Sequence, residues 1–205
     1  MDGEICLQRY RVAHFSEPAS RLRHELRRWL PGLTGQRNPA YTRWEMGAAI
    51  QPQPFGKYFL LERIATGGMA EIYKAKYRAE GGFEKTLVIK KILPHLAQDE
   101  EFITMFRDEA ALTVRLNHAN IVQVFDFGRN GEDYFLAMEY VQGQNLRAVM
   151  RRCQELGAPV PVPFALFAIT EVAKGLAYAH ARRDESDTAM QIVHRDVTPS
   201  NNHVS

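Results

Sequence analysis

Apolar and polar positions fall into two regimes. Up to Tyr140 they mostly form short runs broken by glycine or charged turns, and beyond Asn145 they recur every three or four residues. Tyr58–Ile64 and Glu71–Ala75 have strand composition around the small-residue turn Ala65-Thr66-Gly67-Gly68-Met69-Ala70. Thr86–Leu93 is a third strand. Period two sets Val88, Lys90 and Ile92 on one face and Leu87, Ile89 and Lys91 on the other, where Lys91 reads as a solvated charge. Asp99 caps a helix reaching about Asn117, with Phe102, Met105, Phe106, Leu112 and Leu116 as its apolar stripe. Ile121–Phe127 and Tyr134–Tyr140 are further strands, joined by the turn Gly128-Arg129-Asn130-Gly131.

The second regime is helical. Asn145 caps a short helix with Leu146, Val149, Met150, Cys153 and Leu156 inward, and Gly157 stops it. Pro163 starts a longer helix, from Phe164 to about Arg182. Phe164, Leu166, Phe167, Ile169, Val172, Leu176 and Tyr178 occupy most of its circumference, so it should be buried on most sides. Residues 183–191 are a charged, solvated loop.

Residues 1–54 differ from the rest, with eight Arg, no Lys and five acids. Ser16-Glu17-Pro18 is a helix start, and Leu22, Leu26, Trp29 and Leu30 then share one face among arginines until Pro31-Gly32. Such a segment reads as a short solvated helix or as sequence not normally translated, the alternative being a membrane-surface or targeting helix. Gln51-Pro52-Gln53-Pro54 reads as a linker. The expected division is therefore an Arg-rich extension over 1–54 and a domain over 55–205, with Met46 as a second possible start.

Composition narrows the class. Hydrophobic content of 45% fits a globular protein, and a net charge of +2 implies no nucleic-acid partner. Two cysteines, Cys6 and Cys153, make no disulfide framework, and Cys153 reads as core. With no secretory signal, the expected compartment is cytoplasmic. The most apolar run, near Val160–Thr170, is too short to span a bilayer, so no membrane-spanning segment is expected.

Three features carry chemistry. The turn over 65–70 lets backbone N–H groups approach phosphates without side-chain clash. Glu109 sits inside the apolar stripe of its helix, whereas Asp108 lies on the wet face with Glu101, Thr104 and Arg115. A carboxylate among core residues needs a partner, and Lys90 is the natural one. Finally, His194-Arg195-Asp196-Val197-Thr198-Pro199-Ser200-Asn201 reads H-R-D-x-x-x-x-N, with Pro199 stiffening the turn.

In this order and spacing, these stretches resemble the protein kinase family, and within it the bacterial serine/threonine kinases. Leu87-Val88-Ile89-Lys90, Leu116-x-His118-x-Asn120-Ile121-Val122 and Met138-Glu139-Tyr140-Val141 carry the resemblance further. It implies an α+β, protein-kinase-like fold. A β-rich N-lobe with its αC helix would cover about 55–140, and the first helices of an incomplete α-helical C-lobe 141–205. It implies ATP and Mg²⁺ as cofactors and a protein Ser/Thr hydroxyl as acceptor. The implied catalytic residues are Asp196 (proton acceptor), Lys90 and Glu109. The implied nucleotide contacts are Ile64, Ala65, Gly67, Gly68, Ala70, Ile72, Val88, Lys90, Met138, Glu139, Val141 and Asn145. The implied metal ligand is Asn201. His118 reads as a structural hydrogen-bonding residue.

The chain also departs from the family pattern. Ala65 and Ala70 replace the outer glycines, and Thr198 stands where a lysine is usual. No D-F-G or A-P-E follows Asn201, and Asn202-His203 replaces an apolar strand. The expectation is a kinase domain cut after its catalytic loop, marginally folded and catalytically silent as it stands. The alternatives are a non-catalytic nucleotide- or partner-binding kinase-like module and an inactive truncated product.

Overall fold

The computed structural model describes residues 10–12 and 49–205, with side chains from Gln51 onward. The amphipathic stretch after Ser16, Cys6 and Met46 lie outside the described residues. Strand β1 (Tyr10–Val12) belongs to the second of two compact units.

The first unit comprises 49–115 and 123–140. Its strands are β2 (Ala49–Phe55), β3 (Tyr58–Thr66), β4 (Ala70–Arg78), β5 (Glu84–Ile92), β6 (Val124–Asn130) and β7 (Asp133–Glu139). They form one antiparallel sheet in the order β2-β3-β4-β5-β7-β6. The stretch read as a linker is therefore inside β2. Gly56, at φ 55°, turns the chain between Phe55 and Tyr58 so that β2 folds back onto β3. Pro52 and Pro54 are tolerated because β2 is an edge strand, with no partner on its outer side among the described strands. Phe55, Tyr58, Leu60, Tyr73, Ala75, Leu87, Ile89, Phe135 and Ala137 form the core on one side of this sheet.

The β6–β7 turn also differs from the sequence reading. β6 runs through Gly128 to Asn130, and Gly131 takes φ 61°. Gly128 is a close-approach glycine, since a Cβ there would lie 2.8 Å from the Phe135 ring. Helix α1 (Glu100–Val114) is capped as expected, with Asp99 Oδ1 accepting from the Glu101 and Phe102 amides at 3.0 Å.

The second unit comprises 10–12, 116–122 and 141–205. It contains β8 (Gln144–Asn145), α2 (Leu146–Glu155), α3 (Val162–His180) and β9 (Asn202–Val204), with strand order β1-β9-β8. Asn145 caps α2, its Oδ1 accepting from Ala148 N at 2.8 Å. Gly157, at φ 63°, ends α2 while Ala158 N donates to Cys153 O. Val149, Cys153 and Phe164 pack together, and burial pushes the Cys153 thiol up. Met150 and Leu156, expected inward, are exposed. The loop 183–191 is exposed but self-bonded: Asp184 Oδ1 accepts from the Ser186 and Thr188 amides at 2.8 and 2.9 Å.

The buried face of α3 is narrower than its sequence suggests. Ala168, Val172 and Ala179 pack with Leu116, Ile121 and Ile192, while Leu166 and Ile169 are 61% and 67% exposed. At 19 residues, α3 reaches the length and composition of a membrane-crossing helix, beyond the shorter run read from the sequence. Its buried face, however, carries a carboxylate. Glu171 is 8% exposed and accepts from Asn120 Nδ2 at 3.0 Å and Lys174 Nζ at 2.6 Å. Burial acts to raise its pKa, but these two donors outweigh it and the net shift is downward. Nearby, His118 Nδ1 accepts from Asn120 N at 3.1 Å and its ring stacks on Tyr178, which places His118 in the hydrogen-bonding role read from the sequence.

Glu171→Ala would remove the carboxylate acceptor of the buried Asn120 amide and should lower unfolding stability by about 1–3 kcal/mol. Lys174→Ala removes a mostly exposed partner and should cost about 1 kcal/mol or less. Urea midpoints at neutral pH check both. Because the Glu171 pKa is lowered, its contribution is present above the ordinary carboxylate range and is lost as pH falls through the folded value.

Candidate functional site

Five of the residues read as nucleotide contacts converge on one face of the first unit's sheet. The ladder opposes Ile72 to Lys90 and Val88 to Met138, with Ala65 opposite Ile72 on the next strand. Directly opposed residues share a face, so these side chains form one patch. Val88 and Met138 are buried at 4% and 2%. Lys90 Nζ lies 5.4 Å from the ring centroid of Phe106 on α1, and Glu109, one turn further along the same face of α1, is buried. The sequence reading of Glu109 as inward and Asp108 as wet is thus what the helix shows.

Lys91 differs from the sequence reading. It faces away from Lys90, opposite Glu71, but it is only 19% exposed and lies 3.6 Å from both Glu71 and Asp133. Glu71 also accepts from Arg63 and Tyr73 at 3.0 Å each. Burial works against its ionised form, yet these donors and Lys91 hold its pKa below the ordinary value. Lys91 is thus part of a charged cluster on the outer part of the core face.

The turn between β3 and β4 is open. Residues 63–69 are exposed, and Gly67 N donates to Ala70 O at 2.9 Å. Neither Gly67 nor Gly68 has positive φ. A Cβ at Gly67 would meet Ala70 O at an ordinary 3.8 Å, and one at Gly68 would meet nothing within 4 Å. The fold therefore does not need glycine at either position. At the end of β7, Glu139 N donates to Gln123 O at 2.8 Å. The Val141 N–H meets no acceptor among the described residues.

The second unit holds the H-R-D segment as a run of tight turns. Asp196 N donates to His194 O at 2.8 Å across Arg195, which has φ 62°, a left-handed and strained three-residue turn. Thr198 N donates to Asp196 O at 3.1 Å, and Asn201 N to Thr198 O at 3.0 Å. Asn201 Nδ2 then reaches Asp196 Oδ2 at 2.6 Å and Asp196 O at 3.1 Å. The amide thereby orients the carboxylate, and no hydrogen bond occupies Asn201 Oδ1 among the described residues. Asn202, polar where an apolar residue is usual, is buried and donates to Thr198 O at 2.6 Å. Asn145, read as a nucleotide contact, has its Oδ1 engaged as the α2 cap.

The protein kinase domain family matches residues 58–203. This chain belongs to the protein kinase family. The kinase fold also appears among solved structures. The PknI kinase domain of Mycobacterium tuberculosis superposes with a TM-score of 0.60 at 28% identity, covering 77% of this chain and 62% of that one. Among curated relatives, this kinase chain is 41% identical over 157 residues to the tyrosine-protein kinase MasK of Myxococcus xanthus (strain DK1622), covering 77% of this chain and 24% of that protein. It is 34% identical over 146 residues to the serine/threonine-protein kinase PrkC of Bacillus subtilis (strain 168), covering 71% and 20%. The chain therefore spans a quarter or less of the length of these relatives.

Protein kinases generally use ATP and Mg²⁺. Mg²⁺ prefers six oxygens in octahedral array. The described kinase residues contain no cluster of three or more His, Cys, Asp or Glu that could hold a metal, and Asn201 supplies a single neutral oxygen. This donor set does not make a Mg²⁺ site by itself.

Sequence reasoning missed Glu71 and Glu171. The signal used for Glu109, a lone acid within an apolar helical run, was equally present at Glu171. His194 is 3% exposed, and burial pushes its imidazole below the ordinary range, with the Asp196 charge opposing but not reversing the shift. The unfolded chain takes up a proton near pH ~6.5 where the folded chain does not, so stability from His194 should fall as pH drops through that value and level off below the folded pKa. NMR titration of the His194 imidazole should give a midpoint below the ordinary histidine value; a midpoint at or above it would contradict this.

Proposed function

We propose that this chain is the ATP-binding and hydroxyl-activating part of a serine/threonine protein kinase. The observation that carries the reading is the ladder placing Ile72, Val88, Lys90 and Met138 on one sheet face, beside the helix that buries Glu109. Lys90, partnered by Glu109, binds the α/β-phosphates. Val88 and Met138 flank the adenine, and the Glu139 carbonyl and Val141 amide pair with it. Ile64, Ala65, Gly67, Gly68, Ala70 and Ile72 cover the phosphates. The open turn supports that role, because its glycines answer to no need of the fold. Asn145 is the remaining nucleotide contact that the kinase resemblance implies.

Asp196 accepts the proton of the substrate hydroxyl. The hydroxyl oxygen forms a bond to the γ-phosphorus, the bond to the bridging β,γ-oxygen breaks, and ADP leaves. Asn201 orients Asp196 through its amide hydrogens, and its Oδ1 is the atom available to a cation. Mg²⁺, where bound, would neutralise charge at the phosphates, and Asn201 would be its one ligand among the described residues. A cytoplasmic location goes with this reading, on the cysteine usage and a buried Cys153 thiol. The proposed domain runs to 205 and takes β2 (Ala49–Phe55) as its first element, ahead of the start at 55 read from the sequence.

A tyrosine acceptor is the second reading. It is favoured by the name of the Myxococcus relative and by Thr198, which departs from the serine/threonine pattern. Transfer to matched Ser, Thr and Tyr peptides, by a chain extended with the D-F-G to A-P-E segment of a related kinase, decides between the two.

Lys90→Met should weaken ATP binding by roughly tenfold or more, the worth of a charge-assisted hydrogen bond. Lys91→Met should leave binding within about twofold while lowering stability by about 1 kcal/mol, since its ion pairs lie on the other face. Equal effects on ATP binding, measured by titration calorimetry, would sink the register-based assignment. Gly68→Ala should keep or slightly raise stability, by up to about 1 kcal/mol, because the unfolded chain loses freedom. In a chain extended with the D-F-G to A-P-E segment of a related kinase, Asp196→Asn should preserve ATP binding and abolish transfer.

A further inference from the structure

Strand β9 is the middle strand of its sheet, with β8 on one side and β1 on the other. The β8 side is closed tightly. Gln144 opposes Val204, Asn145 opposes His203, and a Cβ on Gly143 would come within 1.8 Å of the Val204 carbonyl oxygen. The other edge is taken, in parallel, by Tyr10–Val12, with Tyr10 opposite Asn202, Arg11 opposite His203 and Val12 opposite Val204. β1 lies outside the matched kinase residues 58–203, while β9 lies almost wholly within them. The backbone of β1 also runs beside α3.

We infer that Tyr10–Val12 serve as an intramolecular strand donor, holding β9 and through it the turn that sets Asn201 against Asp196. The coupling is short. β9 starts at Asn202, the residue after Asn201, and Asn201 donates to Asp196 at 2.6 Å. Asn202 is itself buried and clamps Thr198 O, so displacement of β9 would pull on both ends of the turn. An unpaired strand edge presents a row of backbone donors and acceptors that recruits an extended segment. Tyr-Arg-Val suits that use, with two good strand formers in three residues. A parallel pair needs a long crossover, and here almost the whole chain separates the partners. The extension, read from the sequence as a short solvated helix or as sequence not normally translated, is therefore assigned a structural task at the Asp196–Asn201 turn. The assignment does not depend on the phosphotransfer reading.

Two measurements on the full chain and its variants test this. Deleting residues 2–13 should speed hydrogen exchange at the Asn202–Val204 amides by about tenfold or more while protection in β5 is kept. Unchanged exchange at those amides would overturn the inference. Should the deletion unfold the whole second unit, a cross-link decides without deletion. In a Cys6→Ser background, Arg11→Cys with His203→Cys places two thiols at directly opposed positions. Mild oxidation should join them within one chain, and Arg11→Cys with Gln144→Cys, two strands apart across β9, should not cross-link. Failure of the first pair to form, or equal yields for both pairs, would overturn the pairing.

Discussion

The register of β5 is the constraint on which the candidate site depends. β5 lies between β4 and β7, and Leu87, Val88, Ile89 and Ile92 are 4% exposed or less, so the strand is buried on both faces. A shift by one residue would exchange the faces of Lys90 and Lys91. Lys91 would lose Glu71 and Asp133, and Lys90, together with Val88, would leave the side of the sheet that carries Met138 and α1. Two adjacent lysines thus acquire opposite tasks from one alternation. The apolar residues flanking them make that alternation costly to break, since each large side chain moved into water forfeits about 1.5–3 kcal/mol.

A second constraint governs the H-R-D segment, where polar groups of the chain satisfy one another at close range. The left-handed Arg195, the successive short turns and the Asn201 amide hold Asp196 from several sides. Strained backbone persists only when the surroundings over-determine it. Here the surroundings are the buried His194, the Asn202 clamp and the β8–β9–β1 sheet. An asparagine at 202 looks like a broken apolar strand in the sequence. In the fold it is a buried donor with a specific acceptor at Thr198 O.

The buried Glu171 and the half-buried Glu71 follow one rule with different partners. Glu171 is held by Asn120 and Lys174, and Glu71 by Arg63, Tyr73 and Lys91. In both, hydrogen bonds and nearby charge outweigh the desolvation that would neutralise the group. Glu171 ties the 116–122 segment to α3 within the second unit, so the helix with the most membrane-like composition is anchored by a polar contact.

The sequence by itself determined what depends on local periodicity and short-range chemistry. The caps at Asp99 and Asn145, the stop at Gly157, the inward Glu109 and the β5 faces could all be read, because each is set by residues a few positions apart. The family was legible for a related reason, since the order and spacing of its motifs survive in the chain. Only the tertiary structure decided what depends on which surfaces meet. It turned a presumed linker into edge strand β2 and moved a turn from Gly128 to Gly131. It also left Met150, Leu156, Leu166 and Ile169 exposed, and set Tyr10–Val12 beside β9. Local pattern records that a residue is apolar or that a glycine is present. Whether a partner covers that residue, or a ring lies against that glycine, is a property of distant chain segments that no window of sequence contains.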